Sequence, residues 1–517
     1  MTSVARRSRL RFADLLGGLS IVADMGFGLP PGQAMRSCLV ATALARAMKL
    51  PESEVADAYY AALLLHVGCV SMSHETSVLF GDELRLTRAV AMTDLGDPED
   101  LVRTLIPEAS RGLGSARDRL TSALHSNPAF GRLYDTASGE VGRATAKRIG
   151  LAATTQRALG ECAESWSGDG APLGLSGDGI ALSARIVRAS SDAAFFDDMG
   201  NAELAVNALK KRSGGTLDPA VVEAFVKDAP VLLAEASSGD LRDRILEVEP
   251  EPVVEADDYE LVGFARAFAD VGDLKSPFMQ GHSRQVAEVA YRAADHAGLD
   301  KAAAKDVEVA ALLQDIGRVS VSDILWEKSG PLSMAEWEQV RLHPYHSERI
   351  LTNSRTLEPI AQIAGMHHER LDGSGYHRGC KRGEIPVAAR ILAAADSFVA
   401  MTHERPYRAA LEPQAAAEQL SADARSGKLD PEAVSAVLEV AGQHRGGGRA
   451  FRPAGLSERE LEVLQLIAQG YSNPAISDRL SISRRTAEHH VQHIYTKIGL
   501  STRPGAALFA LQHGLLS

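Results

Sequence analysis

Cysteine is sparse in this chain of 517 residues, and its four copies (Cys38, Cys69, Cys162, Cys380) are scattered without C-x-x-C spacing. That argues against a disulfide framework or a thiolate zinc site and fits a reducing compartment. Long hydrophobic runs are missing too: nothing approaches the roughly 18 uncharged apolar residues of a membrane span. The short apolar run after Arg6, Arg7, Arg9 and Arg11 is interrupted by Asp14 and Asp24, unlike a signal peptide. The expectation is a soluble, cytoplasmic protein with no membrane partner. Strand signals are weak throughout, so a β-rich fold is not expected. Positive charge is in deficit, with 55 Lys and Arg against 67 Asp and Glu. The deficit is uneven: residues 451–517 hold 7 basic against 5 acidic side chains, and the remainder 48 against 62. A positive tip on an acidic body fits nucleic-acid binding confined to the tip.

What is present is helical. With 45% hydrophobic and 24% charged residues the chain is globular, and its length predicts three or four domains. Alanine- and leucine-rich helical patterns dominate, so the fold class is mainly α. Residues 247–260 carry seven acids together with Pro250 and Pro252, which predicts an exposed connection. Residues 442–450, rich in glycine, predict a flexible linker. The expected organisation is a helical domain over 1–240, an acidic linker over 241–258, a second helical domain over 259–441, the glycine-rich linker 442–450 and a terminal module over 451–517.

The terminal module is the most specific stretch. Ser457 stands three residues before Glu460, the capping-box spacing, and Leu461, Leu464, Ile467 and Ala468 recur at helical period. Gly470 ends that helix, Ser472-Asn473-Pro474 opens a second, Ser481-Ile482-Ser483 is a tight turn, and Arg484 to Ile498 form a third, stopped by Gly499. The patterns L-S-x-R-E-x-x-V-L, G-x-S-N, I-S-x-x-L-x-I-S, T-A-x-x-H and I-x-x-K-I-G over about sixty residues resemble the LuxR-type C-terminal DNA-binding domain, a four-helix helix-turn-helix. The resemblance places the third helix in the major groove of double-stranded DNA. It implies base contacts from Glu488, His489 and Gln492 and phosphate contacts from Arg484, Arg485 and Lys497. Ala487, Val491, Ile494 and Ile498 are expected to face the domain's core. The last helix, from Pro504 to Leu515 with Ala507, Phe509 and Ala510, is expected to pair two copies into a homodimer.

A second constellation lies in residues 259–442: Gly281-His282, Gln314-Asp315-Ile316-Gly317-Arg318, His343-Pro344, His367-His368-Glu369, Asp372-Gly373-Ser374-Gly375-Tyr376, Asp396, and Arg405-Pro406-Tyr407-Arg408. Imidazoles with carboxylates suit iron, manganese or zinc. The order resembles the HD-GYP branch of the HD phosphohydrolases, which hydrolyse cyclic di-GMP at a two- or three-metal centre. That resemblance implies His282, Asp315, His343, His367, His368 and Asp396 as metal ligands, with Asp315 bridging. The family's His-Asp pair is Gln314-Asp315 here, its following lysine is Arg318, its Gly-Tyr-Pro is Gly375-Tyr376-His377, and Phe278 cannot supply the carboxylate of three-metal members. One ion is therefore expected at His343, His367, His368 and Asp315, with the Gln314 side impaired. Two-metal hydrolysis needs both ions, so the expectation is a regulator that senses a metal or a phosphate ligand such as a cyclic dinucleotide with little hydrolysis. The alternative is an active phosphodiesterase using Asp315 and Arg318.

The first half repeats this pattern. Gly32 and Gly68 are spaced like Gly281 and Gly317, at an offset of 249, and Gly168 to Ile186 follows Gly373 to Ile391 at an offset of 205. The ligand positions hold Gln33, His66, Cys162, Ala163 and Ser191, from which no metal site can be built. Two tandem HD-type domains, the first degenerate, are thus expected ahead of the helix-turn-helix.

Overall fold

Nearly all regular structure in the computed structural model is helical. It describes residues 10–94, 97–109, 116–442 and 453–516; Arg6, Arg7, Arg9 and residues 443–450 of the glycine-rich linker lie outside the described residues. Among those described, the sole sheet is an antiparallel pair, Leu10–Arg11 with Glu255–Ala256. The chain divides into two compact units. One holds the residues up to Cys69, Leu79–Phe264 and Ile350–Pro359; the other holds Val70–Val78, Ala265–Arg349 and everything from Ile360 on.

In the first unit, helices Phe12–Gly26, Gln33–Ala47, Glu52–Leu64, Leu182–Met199 and Pro219–Ser237 bury Leu15, Leu16, Leu19, Leu39, Leu44, Tyr59, Leu63, Ile186 and Phe225 completely. Residues 241–258 are not merely an exposed connection. Leu241–Val248 is helical, capped by the Asp240 carboxylate, and Glu249 is buried, accepting from Arg11 Nε at 3.0 Å and the Tyr60 hydroxyl at 3.0 Å. A partnered carboxylate can be buried where an acid count alone predicts exposure. The stretch Glu52–Phe80 passes for a membrane span by length and composition, yet 78% of its apolar window is buried inside the fold, as in a core helix.

In the second unit, Gly281 sits in the left-handed region (φ 82°) and starts helix His282–His296, just as Gly32 (φ 92°) starts Gln33–Ala47 in the first. Lys301–Leu313, Glu358–Gly365, Val387–Thr402, Pro413–Arg425 and Pro431–Gly442 complete the HD-type body. The polar contacts that fix its turns recur in the first unit at the 249 and 205 offsets of the sequence repeat, apart from Asp218 and Asp430, which are 212 apart. Asp273 accepts from the Ser283 amide at 3.1 Å, and Asp24 from the Ala34 amide at 3.0 Å. Glu369 accepts from the amides of Arg378 and Cys380, both at 2.8 Å, and Glu164 from those of Leu173 and Leu175 at 2.6 and 2.9 Å. Arg390 pairs with Asp430 at 3.1 Å, and Arg185 with Asp218 at 2.6 Å. Each unit repeats one helical arrangement.

Candidate metal centre and helix-turn-helix

The second unit's helix ends converge on a buried cluster. Helix Lys301–Leu313 stops at Gln314, so Asp315 heads the 3-10 turn Ile316–Ser320. The helix that begins at His343 presses on that turn: a Cβ on Gly317 would lie 2.2 Å from the His343 carbonyl oxygen, so only glycine fits there. His367 and His368 follow the helix Glu358–Gly365, and Asp396 lies within Val387–Thr402. His282, Asp315, His343, His367 and Asp396 are buried and His368 is half-buried. All six expected ligand residues are thus brought together.

They form two groups whose ligand atoms lie within 4.8 Å of one another: His343, His367 and His368 in one, and His282, Asp315 and Asp396 in the other. Asp315 stands between them. Its Oδ1 is 3.2 Å from His343 Nε2 and 3.7 Å from His367 Nε2, and its Oδ2 is 3.6 Å from His282 Nε2. His282 Nε2 is 3.1 Å from Asp396 Oδ1. The tautomers follow from the other ring nitrogens. His343 Nδ1 lies 2.7 Å from the Val340 carbonyl and His367 Nδ1 2.7 Å from that of Ala364, so each Nδ1 carries the proton and each Nε2 offers a lone pair, as second-shell carbonyls arrange for metal-binding histidines. Those Nε2 atoms are 3.3 Å apart and face Asp315 Oδ1, a buried oxygen with no hydrogen-bond partner. Buried lone pairs pointed at each other are costly unless a cation lies between them, so the residues fit a divalent ion.

Electrostatics agree. Burial opposes ionisation of Asp315, but His343, His367 and Arg318 outweigh it and hold the carboxyl well below the usual range. Burial, with the neighbouring rings, pushes His368 well below the usual imidazole value, and burial also lowers His343 against the pull of Asp315. At His367 burial is outweighed by Asp315, which raises that imidazole. His343 and His368 are held toward the neutral form beside an ionised carboxylate, a donor set suited to a cation.

Gln314 is fully buried. Its Nε2 donates to Asp396 Oδ1 at 3.2 Å, and its Oε1 has no partner. Around the cluster stand side chains that sequence reasoning did not single out: Trp326, whose ring is 5.3 Å from that of His343, and His403, 6.1 Å from His282. Neither falls in a motif or a period that could have marked it. Tyr376, quoted only as part of its motif, has its ring 4.7 Å from His368. In the first unit Gln33 donates to the Ser191 carbonyl at 3.5 Å, and His66 stacks on Phe27 with ring centroids 4.5 Å apart. A Cβ on Gly68 would lie 1.9 Å from Ser138 O, so Ser138 stands where the second unit has His343, an equivalence the repeat had not supplied.

The terminal module has four helices: Glu458–Ala468, Asn473–Arg479, Arg484–Ile498 and Arg503–Gln512. Ser457 and Glu460 form the expected capping box, and Gly499 (φ 70°) caps the third helix. Ala487, Val491 and Ile494 are buried as expected, whereas Ile498 is half-buried at the helix end. Arg484, Arg485, Glu488, His489 and Gln492 are exposed on one helix, with Arg484 Nε 3.1 Å from Glu488. Lys497, expected at a phosphate, is exposed, and its ammonium pairs with Glu460 Oε2 at 2.7 Å and with the Gly455 carbonyl at 3.2 Å, joining two helices of the domain. Burial of Glu460 is outweighed by Lys497 and the Ser457 cap, which bring its carboxyl down to about 2. Ala507 and Ala510, expected at a dimer interface, are buried within the chain, while Phe509 is half-buried and stacks on His513 at 4.0 Å.

Comparison with known proteins places the second HD-type region and the terminal module. Residues 266–433 match the family described as HD domain, and residues 454–510 match the luxR family of bacterial regulatory proteins. The 3'3'-cGAMP-specific phosphodiesterase 3 of Vibrio cholerae is 29% identical over 436 residues, spanning 83% of this chain and 94% of that protein. The crystal structure of a cyclic GMP-AMP-specific phosphodiesterase of V. cholerae (V-cGAP3) superposes with a TM-score of 0.58 at 25% identity, over 84% of this chain and 98% of that one. A cyclic di-GMP phosphodiesterase of Thermotoga maritima is 39% identical over 162 residues, 31% of this chain and 44% of that protein. The chain therefore joins an HD-GYP-like body, carrying His/Asp groups suited to metal, to a C-terminal LuxR-family helix-turn-helix domain.

Proposed function

We propose that this protein is a cytoplasmic, dimeric DNA-binding regulator whose second HD-type domain, residues 259–441, holds one divalent transition metal and receives a cyclic dinucleotide or related phosphate ligand with little turnover. Its first domain, residues 1–240, acts as a degenerate HD copy. The observation that carries this reading is Gln314. The amide stands fully buried beside Asp396, where the HD-GYP pattern has an imidazole. An amide oxygen is a weaker donor to a transition metal than imidazole. His343, His367, His368 and Asp315 keep three imidazoles and a carboxylate for one iron, manganese or zinc ion; His282 and Asp396 share Asp315 on the impaired side. A bound ion would polarise a phosphoryl oxygen. The chain's own groups would orient the ligand: Arg318 toward a phosphate, with Tyr376 beside His368. In the terminal module, Glu488, His489 and Gln492 would read bases and Arg484 and Arg485 phosphates, as exposed side chains of a recognition helix can.

A second reading has its own support. His282, Asp315 and Asp396 remain grouped, and the relatives that cover the body are named as phosphodiesterases of cyclic dinucleotides. On that reading the protein is an active phosphodiesterase with an appended DNA-binding domain. Metal analysis of the purified full chain, together with incubation with 3'3'-cGAMP and cyclic di-GMP, separates them. About one ion and negligible turnover support the sensor, and two ions with robust turnover replace it by the enzyme.

A further inference from the structure

The half-buried guanidinium of Arg318 has no hydrogen-bond or ion-pair partner among the described residues, although its residue follows Asp315 by three positions and its charge acts on both Asp315 and His343. Other arginines of the body are satisfied: Arg284 by Asp270, Arg390 by Asp430, and Arg405 by the Phe278 carbonyl. A half-buried guanidinium with no acceptor from the protein keeps its N–H groups available to a ligand. What Arg318 has instead is a platform. Its Cζ lies 3.5 Å from the centroid of the Trp326 ring. Trp326 is fixed on two sides, because its Nε1 donates to the Arg318 carbonyl at 3.4 Å and its ring meets the His343 ring edge to face at 5.3 Å and 77°.

We propose that Trp326 is a positioning residue: stacked on Arg318 and braced against His343, it holds the guanidinium as a preformed fork for a phosphate of the ligand beside the His/Asp cluster. Face-on stacking occupies the π face of the guanidinium and leaves its in-plane N–H groups free, the geometry for two parallel bonds to phosphate oxygens. A lysine at the same place would bring a point charge on a flexible stem with no flat face for the indole to hold. The inference rests on the phosphate-receptor reading above and adds the device that sets the receptor's geometry.

The test is calorimetric binding of a bis-phosphorothioate analogue of 3'3'-cGAMP, which resists turnover, to the full-length metal-loaded protein. Arg318→Ala is expected to weaken binding by about 10- to 100-fold, the loss of a charge-assisted pair. Trp326→Ala is expected to weaken it by about 3- to 30-fold, Trp326→Phe by less than about 3-fold, and metal content is expected to be unchanged in all three. In an Arg318→Ala background, Trp326→Ala should cost nothing more, since a platform without its guanidinium has nothing to hold. Wild-type binding by Trp326→Ala overturns the positioning role. So does an equal loss with and without Arg318, or failure of the phenylalanine to rescue, because either means that the indole acts through packing or on a base. If Arg318→Ala binds as well as wild type, or the wild type does not bind, the phosphate-receptor reading falls and the platform with it.

Discussion

Replacing Gln314 by histidine isolates the feature on which the choice between sensor and enzyme turns. The amide is fully enclosed, its Nε2 is 3.2 Å from Asp396 Oδ1, and its Oε1 meets nothing. An imidazole there exchanges a weak neutral donor for a strong one, next to His282 and Asp315, without asking the surrounding helices to move far. A single metal-site partner is worth about 10- to 100-fold in affinity, or ~1.4–2.7 kcal/mol. Gln314→His is therefore expected to raise the affinity of the second ion by that factor and the metal content from about one to about two per chain. Supplying the missing half of a two-ion clamp should raise phosphodiesterase activity by roughly one to three orders of magnitude. Elemental analysis after anaerobic reconstitution with iron or manganese reads the first effect, and product formation from 3'3'-cGAMP and cyclic di-GMP reads the second. Two equally held ions in the unmodified protein would refute the reasoning. So would a variant that folds normally yet gains neither metal nor activity, which would move the cause to another departure such as His377.

Three further outcomes are expected. His367→Ala should remove most bound metal and Gln314→Ala little, because His367 Nε2 faces both His343 Nε2 and Asp315; metal content after dialysis decides it. In DNA binding, Arg485→Ala should weaken all sequences alike and lower the salt slope by about one, whereas Gln492→Ala should alter preference at one base pair by about 1–3 kcal/mol, both read by titrations on duplexes of varied sequence. Glu460 has its carboxyl down at about 2, so its contribution to stability is present above its ordinary value of about 4.5 and is lost as pH falls toward about 2. Lys497→Met should return the Glu460 titration toward the ordinary value in an NMR pH series, and an unshifted titration would mean that the capping contacts alone hold it down.

Much of this was legible in the sequence because the informative residues have strict local needs. Ser457, Gly281, Gly317 and Gly499 mark helix ends and close approaches that few residue types allow, and the six ligand residues sit in short framing motifs. What stayed hidden depends on contacts distant in sequence. Glu249 looked like one acid in an exposed run until Arg11 and Tyr60 closed on it from more than 180 residues away. Lys497 read as a phosphate contact, and its pairing with Glu460, 37 residues away, was not visible in the sequence. Trp326 carries no period or motif, and only three-dimensional packing sets it between Arg318 and His343.

The two units also serve as a control for each other, separating scaffold from site without any outside comparison. Asp24 and Asp273, Glu164 and Glu369, and the pairs Arg185–Asp218 and Arg390–Asp430 make the same contacts in both. These groups hold turns and helix starts, so losing one leaves a buried backbone amide or charge unpaired whatever the unit's task. The positions of His282, Asp315, His343, His367, His368 and Asp396 hold Gln33, His66, Ser138, Cys162, Ala163 and Ser191 in the first unit, which still folds around them. The fold therefore does not require the imidazoles and carboxylates of the second unit. Six converging polar side chains that folding does not need, five of them buried, with lone pairs turned on one another and an orphan oxygen at their centre, are explained by binding. In the first unit burial dominates at His66 and Cys162, with the charge of Arg188 acting on both.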